Sequence, residues 1–426
     1  MTFKRIQFYF MSTNPSSLPV ESYDVAIVGA GPGGAMCALG LKASGLRVAV
    51  LDKATFPRDK ICGDALSGKV SEALSMHSPD LLKDFERFSE KLSTTALRLV
   101  SPRGDCLEIA FTPRHYSGSA LGHISTRLAF DNFLVEKLRG APNISLLKSC
   151  RLNSLSVDAT GAHLFCNNRI IKTKLVIGAD GAHSLVAKRL ANFTVDPRHY
   201  SAAVRAYISG IRDTRPENYV EFYILKDILP GYLWIFPLPN GMANVGMGIL
   251  SSALHKQRLN LRDKLLEILS THPLIAPRFK QATIVDGVKG FGLPLGSRRF
   301  QISGERFMLV GDAASLIDPL TGEGIGEAML SGNFAAKQVL DCFEKNDFSA
   351  AAMRRYDDAV YGRLWNSFQL HSFLQKVAAT PLIMNFLVRK ISRSTAMKEF
   401  VASMVEDFDA RKKLASPSFY LKLLFE

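Results

Sequence analysis

The chain has 426 residues, of which 47% are hydrophobic, so it is long enough to bury a sizeable core and to form two or three domains. Its 53 Lys and Arg outnumber its 39 Asp and Glu, and the formal net charge of +14 favours anionic partners such as phosphates, nucleic acid or an acidic membrane surface. No run of 18 apolar residues predicts a spanning helix, and the six cysteines have neither zinc-site spacing nor the pattern of a disulfide framework. We therefore expect a cytoplasmic protein without a metal site, whose membrane contact, if any, is peripheral at the inner face of the membrane.

The first structured segment follows a lead of residues 1–20 that we expect to be disordered. The stretch YDVAIVGAGPGGAMCALGLKASGLRVAVLDK predicts a strand at residues 25–28, a glycine turn, a helix over about residues 33–44 and a second strand at residues 47–51. This is a β-α-β unit of about 30 residues, the length usual for nucleotide-binding units.

Further along the chain, residues 125–138 have an α/β-like pattern, and several short strands are predicted between residues 144 and 171. Residues 201–250 have the alternating or fully apolar character of a sheet, with a hairpin turn at Asn240-Gly241. A helix is predicted over residues 259–270, another from about residue 326, and helical structure throughout the chain beyond residue 350.

The glycines of the β-α-β unit form the pattern G-x-G-x-x-G at Gly29, Gly31 and Gly34. The first glycine permits the tight turn, the second lets a pyrophosphate approach the backbone, and the third allows close packing of helix and strand. Asp52, at the end of the second strand, is placed to accept hydrogen bonds from a ribose 2′-hydroxyl and would repel a 2′-phosphate. The unit therefore predicts binding of FAD or NAD.

Two later stretches each place an aspartate beside a glycine at a predicted strand end. They are LVIGADGAHSLVAKRL, with Asp180, and RFMLVGDAASLIDPLTGEGIGEAM, with Gly311 and Asp312. Both resemble stretches of FAD-dependent oxidoreductases of the p-hydroxybenzoate hydroxylase fold. The resemblance implies that Asp312 accepts a hydrogen bond from the ribityl chain, that Asp180 has a structural role near the cofactor, and that Arg127 contacts the cofactor. The residues that it places against the flavin ring are Pro319, Gly322, Gly324 and Gly326.

Within that fold, two signatures resemble those of geranylgeranyl reductases. The first is FPRDKICGDALS, which has the pattern P-R-x-K-x-C-G, and the second is PGYLWIFPLPNGMANVGMGI, which has Y-x-W-x-F-P and a later G-x-G pair. The resemblance extends from about residue 23 to residue 350. It implies an FAD-dependent reductase that saturates C=C bonds of an isoprenoid chain on a lipid or a diphosphate. The implied substrate-binding residues are Tyr232, Trp234, Phe236, Gly246 and Gly248.

Cys62 lies in the first signature and is a candidate for a catalytic role on the substrate side. Neighbouring Lys60 and Arg58 predict a lowered thiol pKa and a partly ionised thiolate, which suits a base or a nucleophile better than a proton donor. Packing in a turn is the alternative for this cysteine. Asp64 stands where many relatives have a glycine, so the substrate or regulator met at this loop could differ from theirs.

Other interpretations remain open from sequence. The aromatic residues Tyr232, Trp234 and Phe236 recur with the two-residue period of a strand and could simply belong to a hydrophobic core. Arg127 could be a solvated residue at a helix start. A flavin monooxygenase or a halogenase shares the fold, although a halogenase should show W-x-W-x-I-P where this chain has Y-L-W-I-F-P. A non-catalytic binder of membrane surfaces would use the net charge and the mixed apolar and basic stretch at residues 382–413.

These observations predict an α/β protein with a Rossmann-like FAD-binding domain, an inserted mixed or antiparallel sheet domain for the substrate, and a C-terminal helical region. The expected boundaries are residues 21–75, 117–195 and 290–345 for the FAD-binding domain, 76–116 and 196–289 for the substrate domain, and 346–426 for the helical region. Only one dinucleotide fingerprint is present, so the electron donor is NAD(P)H bound by other means, or ferredoxin. No nucleic-acid motif occurs, and the sequence does not indicate an oligomeric state.

Overall fold

The computed structural model describes residues 18–110, 122–213 and 218–406. The predicted disordered lead lies outside the described residues except for its last three positions, the last of which begins the first strand. Residues 407–426 of the predicted helical region also lie outside them.

The strands are, in chain order, β1 (Val20–Val28), β2 (Val48–Leu51), β3 (Ala65–Ser67), β4 (Leu92–Thr94), β5 (Ala96–Val100), β6 (Cys106–Ala110), β7 (Gly122–Ile124), β8 (Ile144–Leu147), β9 (Leu152–Val157), β10 (Ala162–Cys166), β11 (Ile170–Gly178), β12 (Tyr200–Ser209), β13 (Tyr219–Tyr223), β14 (Gly231–Pro237), β15 (Met242–Leu250), β16 (Thr283–Ile284), β17 (Lys289–Pro294), β18 (Ser303–Gly304) and β19 (Phe307–Leu309). The α-helices are α1 (Pro32–Gly40), α2 (Gly68–His77), α3 (Pro79–Glu86), α4 (Arg127–Glu136), α5 (Leu185–Leu190), α6 (Ser251–Gln257), α7 (Leu261–Thr271), α8 (Ala276–Phe279), α9 (Ile325–Lys345), α10 (Ala350–Ala378), α11 (Pro381–Arg393) and α12 (Thr395–Glu406).

The first sheet has the strand order β18-β19-β11-β1-β2-β8, with β10 and β9 attached to β11. The strands β19, β11, β1, β2 and β8 run parallel to one another. Parallel strands covered by helices on both faces are apolar throughout, and Val25, Ala26 and Ile27 of β1 are accordingly 0% exposed. Because the carboxyl ends of these strands meet at one edge, the loops after β1, β2, β11 and β19 lie side by side there.

The second sheet has the order β16-β12-β15-β14-β13-β5-β6, with β17 also paired to β12. Its described pairs are antiparallel except for β13 with β5, so the sheet is mixed, as predicted. Strand alternation gives it two different faces. Leu233 and Ile235 of β14 face a core that includes Leu265 of α7, whereas Trp234 and Phe236 face the other way and pack with Ile124 of β7.

A small third sheet, β3-β7-β4, places Leu66 in the core of the first sheet and Ile124 against Trp234 of the second. Helix α3, which falls within the predicted substrate domain, instead places Leu81 and Phe85 in the core of the first sheet. Strands β5 and β6 lie in the second sheet. The chain thus crosses between the two cores several times, and the exact domain boundaries remain a prediction.

The C-terminal part is helical as far as it is described. Helix α10 runs over 29 residues and places Tyr356 and Phe368 in the first core, while α11 contributes Met384 and Val388 to a separate cluster with β6. Among the helices of the described chain, none combines the length and the apolar character needed to cross a bilayer.

Candidate functional site

The glycine turn after β1 is built for a close approach to the backbone. Gly29 has φ +107°, and a side chain there would overlap the carbonyl oxygen of Ala179. A Cβ atom on Gly34 would overlap the carbonyl oxygen of Gly29. Gly31 differs, because a Cβ atom there would meet only the Nη2 atom of Arg58, at 3.7 Å. Space for an anion is therefore left at Gly31, the residue that precedes the first turn of α1.

Asp52 follows β2 at the same edge of the sheet and is 8% exposed. Its Oδ2 atom accepts a hydrogen bond from the amide of Ala30 at 3.0 Å, and its Oδ1 atom accepts one from the amide of Ala54 at 2.9 Å. These bonds hold the carboxylate beside the glycine turn. Each oxygen keeps a second lone pair, so the geometry fits the predicted ribose contact.

The loop after β19 brings Asp312 into a large cleft between the two main sheets. Asp312 forms an ion pair with Lys60, whose Nζ atom lies 2.9 Å from Oδ2. Gly311, before it, has φ +60°, and a Cβ atom on Gly324 would lie 3.5 Å from Oδ1 of Asp312. Asp312 lines this cleft, and so do Pro319, Gly322 and Gly324 of the residues predicted to lie against the flavin ring.

Asp180, Gly246 and Gly326 are among the predicted site residues that do not line this cleft. Asp180 accepts hydrogen bonds from the amides of Leu185 and Val186 at the start of α5, and its role near the cofactor stays a prediction. A side chain on Gly326 would meet Lys69 of α2. Gly246 pairs with Trp234 across β15 and β14, and a Cβ atom there would overlap the indole ring, so this glycine makes room for the tryptophan.

Arg127 begins α4 and is 3% exposed, which excludes the alternative of a solvated arginine. Its Nε and Nη2 atoms donate to the two carboxylate oxygens of Asp131 at 2.6 and 2.8 Å, and Arg58 reaches Oδ2 of the same carboxylate at 2.6 Å. Its positive charge also lowers the pKa of the Cys62 thiol. Arg127 and Cys62 both line the cleft.

The predicted thiolate character of Cys62 is wrong. Burial raises the pKa of the Cys62 thiol, and this effect outweighs the lowering by Arg127, by Lys60 and by the amide of Asp64. The prediction from sequence included the charges near Cys62 along the chain, but it did not include the loss of water around the sulfur in the folded protein. The side chain is therefore a neutral thiol at ordinary pH, and it carries a proton that it can donate.

The aromatic stripe of β14 forms the wall opposite the flavin-side loops. Tyr232, Trp234 and Phe236 share one face, with ring centroids 6.1 Å and 6.2 Å apart along the strand, and all three line the cleft. Phe222 packs edge-on against Tyr232 and Phe236 at 5.3 Å. The hydroxyl of Tyr232 donates to the carbonyl of Thr321, which ties this wall to the loop before α9. Gly248 also lines the cleft, and its contact with a substrate stays a prediction.

A polar network behind this wall was missed by the sequence analysis. The indole N–H of Trp234 donates to Oδ1 of Asn244 at 2.9 Å. Nδ2 of Asn244 donates to the carbonyl of Cys62 at 2.7 Å and to Oδ2 of Asp64 at 2.8 Å. The sequence marked Asp64 only as a departure from relatives, and nothing in the pattern of residues singled out Asn244.

The cleft holds about 1620 Å³ of empty space, part of it open to solvent. The lining changes from polar near Lys60 and Asp312 to apolar near Ile224, Leu229 and Leu320. One end therefore suits a charged cofactor and the other suits a hydrocarbon.

The residues present fit FAD. The glycine turn leaves a space that a side chain would fill, an acid stands at the end of β2, and the loop before α9 supplies glycines and Asp312 at the cleft. These features occupy one edge of a parallel sheet, as dinucleotide sites of this type require.

Comparison with known proteins places this geometry in a family. Residues 200–291 match the model of the geranylgeranyl reductase catalytic domain, and residues 22–78 match that of an FAD binding domain. A digeranylgeranylglycerophospholipid reductase of Thermoplasma acidophilum is 30% identical over 352 residues, which cover 81% of this chain and 84% of the relative. The chain belongs to the geranylgeranyl reductase family. It is an FAD-dependent oxidoreductase, as predicted, and the interpretation as a non-catalytic binder is set aside.

Two further proteins resemble this chain over most of its length. A menaquinone reductase of Mycobacterium tuberculosis is 31% identical over 333 residues, covering 75% of this chain and 77% of the relative. The crystal structure of a geranylgeranyl bacteriochlorophyll reductase-like protein from Thermoplasma acidophilum superposes with a TM-score of 0.76 at 25% identity, covering 93% of this chain and 99% of that one. The fold predicted from sequence is thereby confirmed.

Proposed function

We propose that this chain reduces carbon–carbon double bonds of an isoprenoid chain carried by a lipid or a diphosphate. The observation that carries the proposal is the single cleft in which the flavin-side loops and Cys62 face the aromatic wall of β14. An isoprenoid chain offers only apolar surface and alkene π-electrons, and aromatic and aliphatic side chains are the groups that bind such a ligand. Relatives named for reduction of isoprenoid lipids and of menaquinone support the same substrate class.

The residues that would hold FAD follow from their positions at the sheet edge. The turn formed by Gly29, Gly31 and Gly34 would let the pyrophosphate approach the backbone. Asp52 would accept a hydrogen bond from a ribose hydroxyl. Asp312 would accept a hydrogen bond from a ribityl hydroxyl, and this bond would replace part of its contact with Lys60. When bound and reduced, FAD supplies a hydride to one alkene carbon, so that the other carbon requires a proton.

Cys62 is the group that we assign as the source of this proton. Burial keeps the thiol neutral, because it raises the pKa of Cys62. The guanidinium of Arg127 and the amide of Asp64 are placed to stabilise the thiolate that remains after the proton leaves. The aromatic wall gives the same space an apolar lining, and such a lining would limit side reactions at the reacting carbon.

Replacing Cys62 by Ser is expected to slow alkene reduction by about 10²- to 10⁴-fold, the range for loss of a general acid, since a hydroxyl gives up its proton far less readily. The measurement is single-turnover alkene reduction by pre-reduced enzyme. The flavin absorbance per chain should not change. Cys106→Ser is the matched control, because Cys106 is a partly buried cysteine of β6 that does not line the cleft. Full activity of Cys62→Ser would remove Cys62 from the mechanism.

The experiment that tests the proposed function is anaerobic incubation of reduced enzyme with prenyl lipids and prenyl diphosphates, followed by mass analysis of the products. A gain of two hydrogens for each double bond supports the proposal, whereas insertion of oxygen under air would favour a monooxygenase. Parallel reactions with NADPH, NADH or reduced ferredoxin identify the electron donor.

We further propose that the corner between α10 and α11 docks on an anionic bilayer. Leu382 is 79% exposed, and Phe373, Phe386 and Ile383 are 54%, 47% and 40% exposed. Arg389 and Arg393 continue the exposed face of α11 with positive charge, while Met384 and Val388 anchor its other face on β6. The cleft reaches this corner, because Gln375 and Ala378 of α10 line it. A lipid-borne chain would enter the cleft from the bilayer at this point.

The double variant Leu382→Ser/Phe386→Ser is expected to bind vesicles of phosphatidylglycerol at least about tenfold more weakly, since loss of about 1.4 kcal/mol of apolar transfer energy corresponds to that factor. The measurement is flotation with vesicles. Leu340→Ser in α9, where the leucine is 40% exposed, is the control and should float like the parent protein. Equal flotation of the double variant and the parent would assign membrane contact, if present, to another surface.

A further inference from the structure

The loop before α9, residues 318–324, forms one side of the cleft. All of its residues except Asp318 line the cleft. Pro319, Gly322 and Gly324 are the ones predicted to lie against the flavin ring. The shape of this loop therefore helps to decide how the protein meets the ring of its cofactor.

Asp318, at the start of the loop, determines that shape through both its backbone and its side chain. Its amide donates to the carbonyl of Glu323 at 2.8 Å, and its carbonyl accepts a hydrogen bond from the amide of Gly322 at 3.0 Å. Its Oδ1 atom accepts hydrogen bonds from the amides of Leu320 and Thr321, at 2.9 and 3.0 Å. Four hydrogen bonds within the loop thus depend on one residue.

The carboxylate of Asp318 belongs to a buried cluster of ionisable side chains, and Asp318 is 0% exposed. Its Oδ2 atom lies 3.9 Å from Nζ of Lys69 in α2, and Lys69 also pairs with Glu327 in the first turn of α9. Burying such a cluster costs solvation energy that its mutual attraction often does not repay, and apolar residues of similar volume can stabilise a fold as well or better. The conformation that the cluster imposes on the loop is therefore a better explanation for it than stability.

Helix α10 reaches the loop at two points, one helical turn apart. Nδ1 of His371 hydrogen-bonds Oδ2 of Asp318 at 2.5 Å, and Nε2 of Gln375 donates to the carbonyl of Pro319 at 2.6 Å. Residues four apart lie on the same face of a helix, so one face of α10 makes both contacts. His371 is 5% exposed, so its ring belongs to the buried cluster.

The hydrogen bond between His371 and Asp318 has a defined direction. Burial would raise the pKa of Asp318, but His371, Lys69 and the amide of Thr321 outweigh burial and hold this pKa below its usual range. Asp318 is therefore ionised at neutral pH and can only accept hydrogen bonds. Nδ1 of His371 carries the hydrogen and is the donor.

We propose that His371 and Gln375 of α10 are positioning residues that hold the 318–324 loop in the conformation that receives FAD. His371 acts through the carboxylate of Asp318, and Gln375 acts through the carbonyl of Pro319. Neither role requires contact with the reacting atoms. The inference goes beyond the proposed function, because it concerns the cofactor and holds for any substrate.

The test changes the hydrogen-bond donor at position 371. His371→Leu removes the donor, whereas His371→Asn places an amide nitrogen as many bonds from the backbone as Nδ1 is. If the loop of the Leu variant adopts the receiving conformation about one tenth of the time, the dissociation constant for FAD rises about tenfold. We expect a loss of at least about tenfold in His371→Leu and recovery of most of it in His371→Asn. The measurement is FAD titration of each apoprotein, together with its thermal midpoint.

Ser372→Ala is the matched control, because Ser372 lies on the same turn of α10 and its buried Oγ atom has no hydrogen-bond partner among the described residues. This variant should bind FAD like the parent. A lower thermal midpoint of His371→Leu with FAD affinity like that of the parent would mean that His371 only stabilises the fold, and it would overturn the proposal. An Asn variant that binds FAD as weakly as the Leu variant would overturn it too.

Gln375→Met decides the question if His371→Leu does not fold, since it removes the contact with Pro319 and leaves the buried cluster intact. Its affinity for FAD should fall in the same direction, and an affinity like that of the parent would overturn the proposal. No prenyl substrate enters these measurements, so their outcome is independent of the proposed function.

Discussion

Replacing Gly31 by Ala is expected to give a folded protein that binds FAD at least about tenfold more weakly, a loss of about 1.4 kcal/mol. In the protein without cofactor, a methyl group at position 31 meets only a guanidinium nitrogen of Arg58, at 3.7 Å, so the fold should tolerate it. The methyl group would occupy the space through which the pyrophosphate approaches the backbone. The measurement is FAD titration of the apoprotein together with its thermal midpoint.

Gly34→Ala is the contrasting variant. Its Cβ atom would overlap the carbonyl oxygen of Gly29 and lie 3.1 Å from Cβ of Ala179, so α1 must move away from the sheet. We expect destabilisation of the apoprotein by about 1–3 kcal/mol or more. If Gly31→Ala instead destabilised the apoprotein as much as Gly34→Ala does, Gly31 would be a packing glycine like Gly34, and its assignment to the pyrophosphate would be wrong.

Replacing Arg278 by Met is expected to destabilise the second sheet by about 3–5 kcal/mol, because it leaves a buried carboxylate without its main partner. Arg278 is 7% exposed and donates to the oxygens of Glu221 at 2.7 and 2.8 Å, and also to the hydroxyl of Tyr223 at 3.0 Å. Arg98 lies 3.5 Å from Glu221 and compensates only in part. The measurement is the urea midpoint followed by Trp234 fluorescence in the Trp365→Phe background.

The double variant Glu221→Gln/Arg278→Met is the control for this prediction. Gln still accepts the bond from the hydroxyl of Tyr223 but carries no charge, so most of the lost stability should return. A double variant no more stable than Arg278→Met would show that Arg278 acts through packing and through its bonds to the carbonyls of Arg212 and Asp213. In that case the charge of Glu221 would not be the cause.

Several features of the chain could be predicted from sequence because they depend on neighbours along the chain. The β-α-β unit needs only apolar runs, glycines and Asp52 within about 30 residues. The shared face of Tyr232, Trp234 and Phe236 follows from the two-residue period of a strand. The ends of elements were less accurate: the helix expected over residues 33–44 is α1, Pro32–Gly40, followed by turns that lead to Gly45 at φ +73°.

From sequence alone, motif spacing predicted a nucleotide-binding β-α-β unit for FAD or NAD, and the resemblance of longer stretches implied the family, the fold and FAD. The tertiary structure alone decided which distant side chains meet. Lys60 pairs with Asp312, which is 252 positions away, and Asp64 meets Tyr207 across 143 positions. It also reversed the predicted ionisation of Cys62, because the pKa of a thiol depends on how much water the folded chain removes from it as well as on the charges next to it in sequence.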